Sequence, residues 1–329
     1  MSLVTVAIPT YNRPAFLREA LESVLAQSMQ SFDVLVVDDQ SPYDVESLVQ
    51  SYKDPRMRLL RQPKNVGVRR NWRTALCTPR TRYVAFLEDD NLWLPHHLCD
   101  AVEALEEQQD ATFYSCTVEW FGDNTGIFKP GWSPDDALQV CRWQDMGYAI
   151  WLQGCPIQAS SVVLRRDALH GLFWGGKSWP WCPEYLWCGQ LALDGSFLFD
   201  GRLGVRYRWH DGNDTYGYRN SRGKAHWLFV IRELAKRAYA AGALRDLAAE
   251  TRAFPASALS VLVIALSALD SPPGLARQAR RIFETRRDLV TQPGCAINYR
   301  LATIVGGWWL RWADLQTRLL ARWWPIADW

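Results

Sequence analysis

The sequence has no glycine-rich phosphate loop. The turn after its first apolar run reads "IPTYNRP", with neither a G-x-G-x-x-G pattern nor a G-K-[ST] ending, which excludes a Rossmann dinucleotide fingerprint and a P-loop. Its eight cysteines include no C-x-x-C pair and no zinc-like spacing, so they read as reduced thiols, many of them buried, in a cytoplasmic protein. No run of about eighteen apolar residues occurs, and no spanning helix is expected. The nearest stretch, 254–270, is too short, carries three serines and reads as a buried helix. The first residues show no basic segment followed by an apolar one, so no secretory signal is expected. Net charge is only +2, which offers nucleic acid no global attraction.

Strand and helix patterns alternate over the first hundred residues. The runs at 3–11, 32–41, 56–62 and 83–89 read as strands, the first rich in β-branched and apolar residues and the second continuous in hydrophobicity as strands buried on both faces are. Between them, 13–28, 43–52 and 68–79 read as helices, with Phe16, Leu17, Ala20, Leu21, Val24 and Leu25 on one face of the first. A β-α-β-α-β-α-β order implies a parallel sheet with helices on its faces, and ligands on such sheets bind outside the carboxyl ends of the strands. The polar clusters fall at those ends: Thr10 to Arg13, Asp38 with Asp39, and Glu88 to Asp90.

The last cluster lies in "YVAFLEDDNLWLP". Adjacent carboxylates repel one another and resist desolvation unless a cation compensates them. An oxygen-rich acidic site at a strand end suits Mg²⁺ or Mn²⁺, which bridge one or two carboxylates to substrate phosphates. Two plainer readings compete: a solvated turn after an edge strand, or the N-terminus of a helix running into "HHLCDAVEALEEQ".

The segments "VAIPTYNRPAFLREALESVLAQS", "DVLVVDDQSPYD", "NVGVRRN" and "YVAFLEDDNLWLP" resemble, in order, the motifs of family 2 glycosyltransferases. The resemblance continues more weakly at 157–169 and 204–216 and ends by about residue 225. It implies an α/β GT-A fold: a Rossmann-like, mainly parallel central sheet with helices on both faces. It further implies sugar transfer from a nucleotide-diphosphate donor, with inversion at the anomeric carbon. Pro9, Thr10, Tyr11 and Arg13, with Asp39 or its neighbour Asp38, match the base and ribose pocket, and Asn65, Gly67, Arg70 and Asp89 join the donor site. Asp90 matches the last Asp of the D-x-D metal motif and Glu88 replaces the first. Asn91 stands where many relatives carry another Asp. His210, in "YRWHDGND", matches a position that reaches the metal or the diphosphate, an ordinary packed histidine being the other reading. Mn²⁺ or Mg²⁺ is the implied cofactor, held by Glu88, Asp90 and His210. A UDP-linked sugar is the first donor, ahead of GDP- or dTDP-linked ones, and the acceptor is a glycan, a lipid-linked sugar or a small molecule.

The family's catalytic base is an Asp or Glu shortly before a helix reading D-x-x-L-W-x-x-x-L. In "SWPWCPEYLWCGQLALDG", Pro183 occupies the usual position and Glu184 follows it as the nearest carboxylate, so Glu184 is the candidate base, with helix capping as its alternative. Trp179 and Trp181 are candidates for stacking on the acceptor, although tryptophans more often fill a core. The catalytic domain is expected over 1–221 and a helical region over 222–329, with helices at 222–252, about 256–269 and 274–290. The Trp- and Arg-rich tail from 306 packs on the catalytic domain or a second subunit, or lies on the inner face of a membrane. A nucleotidyltransferase and a non-catalytic nucleotide-sugar-binding scaffold are the competing functions.

Overall fold

The computed structural model describes residues 2–131, 133, 135–153, 155–172, 183–213, 221–252, 259, 262, 263, 266 and 271–290. Trp179, Trp181 and the tail from 291 lie outside the described residues. Contacts gather the chain into two units. One comprises Met1–Asp145, Pro156–Trp174 and Asp194–His210, the other Met146–Cys155, Gly175–Leu193 and Asp211–Trp329.

The first unit is built on a ten-stranded sheet. Its strands are β1 (Val4–Thr10), β2 (Phe32–Asp38), β3 (Met57–Arg61), β4 (Tyr83–Phe86), β5 (Leu92–Trp93), β6 (Ala111–Gly122), β7 (Gly126–Phe128), β8 (Leu138–Cys141), β9 (Val163–Arg165) and β10 (Ser196–Trp209). The order is β3-β2-β1-β4-β9-β6-β10-β5, with β7 on β6 and β8 on β10. Strands β3, β2, β1 and β4 are parallel, as the alternating sequence pattern predicts. Strand β9 runs antiparallel between β4 and β6, and β10 returns parallel to β6.

All seven residues of β1 are buried, because helices cover both faces. Val4, Val6 and Ile8 join Leu17, Leu21 and Val24 of α1 (Pro14–Leu25) and Leu98, Val102 and Leu105 of α4 (His97–Glu107) in one core. Side chains alternate along a strand, so Ala7 and its partner Phe86 face the other way. There α3 (Val68–Cys77) lays Trp72 edge-on against Phe86, centroids 4.7 Å apart. Helix α2 (Val45–Ser51) is capped by Asp44, which accepts from the Ser47 amide at 3.0 Å.

Among the described residues, the second unit contains 146–153, 155 and 183–193 as well as the helices after residue 210. After α5 (Trp143–Gln153) comes α6 (Pro183–Asp194), which approaches the helix Ser221–Ala240 so closely at Gly189 that a Cβ there would lie 2.7 Å from Leu234. In addition, the helix expected over 222–252 stops at Ala240. Gly242 takes a left-handed φ of 71°, and Asp246 caps a separate short helix, Leu247–Glu250. Likewise Arg286 separates Pro273–Thr285 from Arg287–Val290. Within the apolar stretch 254–270, the described residues Leu259, Leu262, Val263 and Leu266 are helical and buried, as expected. Among the described residues, no helix is long and apolar enough to cross a membrane. The described cysteines are free thiols, and Cys116, Cys141, Cys155 and Cys188 are buried.

One core residue makes stability depend on pH. His97 is fully buried against Trp93, ring centroids 4.8 Å apart, with Nδ1 3.6 Å from the Cys116 thiol. Burial foremost, then the neighbouring His96, pulls its pKa down to about 3, against the opposing field of Asp200. The fold therefore keeps this imidazole neutral, whereas the unfolded chain protonates it below about pH 6.5. Its neutral form is fully compatible with folding above that value, and stability falls with pH from there towards 3, at a limiting slope of about 1.4 kcal/mol per pH unit. His97→Gln cannot titrate. The drop in urea midpoint between pH 7 and pH 5 is expected to be smaller in this variant than in wild type, and equal drops would rule the histidine out as the cause.

Candidate active site

The site forms where β1, β2 and β4 end side by side. The Asp39 amide donates to the Thr10 carbonyl at 3.0 Å and the Leu87 amide to the Ala7 carbonyl at 3.1 Å, so the ladder continues into the turns. Asp38 and Asp39 then divide their tasks. Asp38 is fully buried, accepts from the Ser41 amide at 2.9 Å and lies 3.4 Å from Nε of Arg61, bracing its own turn. Asp39 reaches across to the 65–67 loop, accepting from the Val66 amide at 2.7 Å and the Gly67 amide at 2.8 Å, while Asn65 donates to its carbonyl. Gly67 adopts φ 84°, a conformation that favours glycine. Burial pushes the Asp39 carboxyl upward, and its two amide partners oppose the shift.

The acidic cluster is neither a solvated turn nor a helix start. Asp89 and Asp90 are each only 5 % exposed, and the following helix begins at His97. A cation does compensate them. Nη1 of Arg13 lies 2.6 Å from Asp90 and 3.3 Å from Asp89, and the Thr10 hydroxyl donates to Asp89 at 2.6 Å. Burial first and the Asp90 charge second push the Asp89 carboxyl well above the ordinary carboxylate range, against Arg13 and Thr10. Burial draws the Arg13 pKa down, but Asp90 and Asp89 outweigh it and the net shift is upward.

Of the three expected metal ligands, the structure brings two together. His210 follows β10 directly, and its Nε2 stands 3.2 Å from Oδ2 of Asp90. The imidazole rests on the Phe16 ring of α1, centroids 4.9 Å apart. Two ligands at about 2.1 Å on adjacent corners of an octahedron are about 3.0 Å apart, so this pair has the right span for Mn²⁺ or Mg²⁺. Glu88 is oriented differently. Its Oε2 accepts from Asn91 at 3.0 Å, Gln158 at 2.7 Å and Ser160 at 2.9 Å. Among the described residues no group of three His, Cys, Asp or Glu forms a metal cage. A divalent ion completed by substrate phosphates and water needs no such cage, and Asp90 with His210 fits that kind of site.

The family model described as glycosyl transferase family 2 matches residues 5–173, more than half of the chain. The chain belongs to glycosyl transferase family 2. Succinoglycan biosynthesis protein ExoW of Rhizobium meliloti is 39 % identical over 124 residues, covering 36 % of this chain and 38 % of that protein. The Escherichia coli UDP-Glc:alpha-D-GlcNAc-diphosphoundecaprenol beta-1,3-glucosyltransferase WfaP is 25 % identical over 219 residues, covering 65 % of this chain and 80 % of the relative. The chain thus spans little more than a third of the first of these relatives and most of the second. Among solved structures, S. aureus TarS with UDP-GlcNAc superposes with a TM-score of 0.58 at 15 % identity, over 92 % of this chain and 90 % of that one. The mannosyltransferase PcManGT of Pyrobaculum calidifontis, in complex with GDP-Man and Mn²⁺, gives 0.51 at 18 % identity over 98 % and 87 %. Both support the GT-A fold.

The remaining expected residues of this family 2 glycosyltransferase fall as follows. Pro9 is buried within β1, and Tyr11 just beyond it is 49 % exposed, so its ring is accessible to a ligand. Arg70 is exposed in the first turn of α3. Glu184 is half-buried in the first turn of α6, within the second unit. Sequence reasoning missed a supporting group: Gln158, Ser160, Arg208 and Phe16. Arg208 stacks over Phe16 at 4.7 Å and Phe121 at 4.5 Å, pairs with Glu19, and donates to the Asp90 carbonyl at 3.0 Å. The only sequence signal was proximity to motifs, since "IQASSVVLRRD" and "YRWHDGND" contain three of the four.

Proposed function

We propose that this glycosyltransferase moves a sugar, with inversion, from a nucleotide-diphosphate donor to a hydroxyl of a glycan or lipid-linked acceptor. The donor is UDP-linked in preference to GDP- or dTDP-linked. The observation that carries the reading is the 3.2 Å approach of Asp90 and His210 beside the ends of the parallel strands. Two similarities support the choice of substrates: WfaP is named for UDP-Glc and an undecaprenol-linked acceptor, and TarS is in complex with UDP-GlcNAc.

Tyr11, exposed at the end of β1, and Arg13 beside it receive the nucleotide, with Thr10 and Asp39 shaping the pocket floor. Asp90 and His210 would hold Mn²⁺ or Mg²⁺, which when bound supplies a Lewis acid that balances charge on the diphosphate. Glu184 accepts the proton of the acceptor hydroxyl as that oxygen bonds to the anomeric carbon. The bond from the anomeric carbon to the diphosphate oxygen breaks in the same step, and its electron pair leaves on the nucleotide diphosphate. A lipid-linked acceptor places the enzyme at the inner face of a membrane, where the Trp- and Arg-rich tail provides peripheral contact.

Donor binding is testable without an acceptor. A ligand that binds only the folded state raises the melting midpoint by mass action, about 2.7 kcal/mol at a hundred times its Kd. UDP-Glc and UDP-GlcNAc with Mn²⁺ are expected to raise it, GDP-Man and dTDP-Glc less, and EDTA to remove the shift. No shift with any of the four would sink the donor reading.

A further inference from the structure

Glu88, Asn91, Gln158 and Ser160 form a closed hydrogen-bonded circuit at the acidic turn, with Asn91 and Ser160 buried and Glu88 and Gln158 half-buried. Asn91 is fully buried and uses both ends of its amide. The end facing the Glu88 carboxylate must be the NH₂, since it also meets the Ser160 hydroxyl oxygen, at 3.0 and 2.9 Å. The end facing the Arg208 amide, 2.8 Å away, must be the oxygen. Ser160, also fully buried, gives its proton to Glu88 and accepts from the Glu88 amide at 3.0 Å and from Asn91. Gln158 donates to Glu88 and accepts from the Ser160 amide at 2.6 Å. The Ser160 carbonyl accepts from the Trp93 indole at 2.7 Å, tying the circuit to β5. Every described donor meets an acceptor, the condition under which a buried polar network rigidifies its surroundings.

The circuit leads to His210. Asn91 accepts from the amide of Arg208, two residues before the histidine, and the Asp90 carbonyl accepts from the Arg208 guanidinium. Phe16 then packs against both Arg208 and His210. We infer that Asn91 and Glu88 are positioning residues that fix His210 against Asp90, and that Glu88 anchors the turn rather than ligating the metal. This rests on the reading of Asp90 and His210 as the metal-holding pair. The inference explains why an asparagine suits this chain at position 91. An aspartate there would set a second carboxylate about 3 Å from Glu88, where like charges disfavour joint ionisation.

The test measures Mn²⁺ binding in the presence of UDP, GDP or dTDP by the loss of the free-ion EPR signal. It also follows the ¹⁴N modulation of bound Mn²⁺, which reports histidine ligation. Asn91→Asp is expected to weaken Mn²⁺ binding by roughly 10- to 100-fold, the usual effect of losing a group that orients a metal ligand, and to diminish the ¹⁴N signal. Asn91→Asp combined with Glu88→Gln restores a donor–acceptor pair between the two positions and is expected to recover much of both. Should Asn91→Asp fail to fold, Ser160→Ala opens the same circuit and is expected to act in the same direction. Wild-type binding and modulation in Asn91→Asp, or in Ser160→Ala as its substitute, would overturn the inference. So would a double variant weaker than Asn91→Asp, which would mark the Glu88 carboxylate as a ligand. A wild type that takes up no Mn²⁺ with any of the three nucleotides would overturn the metal reading itself, and this inference with it.

Discussion

Asp90→Asn is expected to lower kcat/KM for sugar transfer by roughly 10³-fold, the scale seen when preorganised charge stabilisation is removed. The melting temperature is expected to hold or rise. The two expectations come from the same geometry. Asp89 and Asp90 are both buried, and the Asp90 charge is one of the two causes that push the Asp89 carboxyl upward. Replacing one member of such a pair with a neutral isostere relieves repulsion that the fold otherwise tolerates for function. Arg13 loses its 2.6 Å partner but keeps Asp89 at 3.3 Å, so its charge is not stranded. Nucleotide release from the donor measures the first expectation, and scanning calorimetry the second. A variant that loses both activity and several degrees of melting temperature would instead show Asp90 to be a structural ion-pair partner of Arg13. The same variant should lose the Mn²⁺-dependent part of the donor-induced thermal shift, because only His210 of the proposed pair remains.

How far such expectations could be read from sequence differs from element to element. Strands β1, β2 and β4 were legible because both faces of the parallel sheet are covered there, so their residues are mostly apolar and the polar clusters begin where each strand ends. Thr10, Asp39 and Asp89 announced themselves by that change. His210 did not. It lies 120 residues from Asp90, and only the family resemblance connected the two. The orientation of Glu88 was hidden for a related reason. Besides the nearby Asn91, its partners Gln158 and Ser160 lie 70 and 72 residues away, and no local pattern encodes those two hydrogen bonds. The break after Ala240 had a local signal in Gly242, which the surrounding alanine-rich, helix-favouring composition outweighed.

Glu184 carries the second large effect and calls for a different signature. Glu184→Gln keeps the shape of the side chain and removes its basicity. As the base it is expected to lower kcat by about 10²- to 10⁴-fold, the range ascribed to proton transfer by a positioned side chain. Donor binding does not need that proton transfer, so the donor-induced thermal shift with Mn²⁺ should persist in full. Here the two variants part: Asp90→Asn loses turnover together with metal-dependent donor binding, whereas Glu184→Gln loses turnover alone. Helix capping predicts otherwise. An acidic residue in the first turn of α6 contributes about 0.3–1 kcal/mol through the helix dipole, so a capping Glu184 would lower the melting temperature slightly and leave kcat intact. Glu184→Asp sharpens the contrast, since a shorter carboxylate still complements the helix N-terminus but reaches less far towards an acceptor hydroxyl. Full kcat in Glu184→Gln would remove this residue from the chemistry.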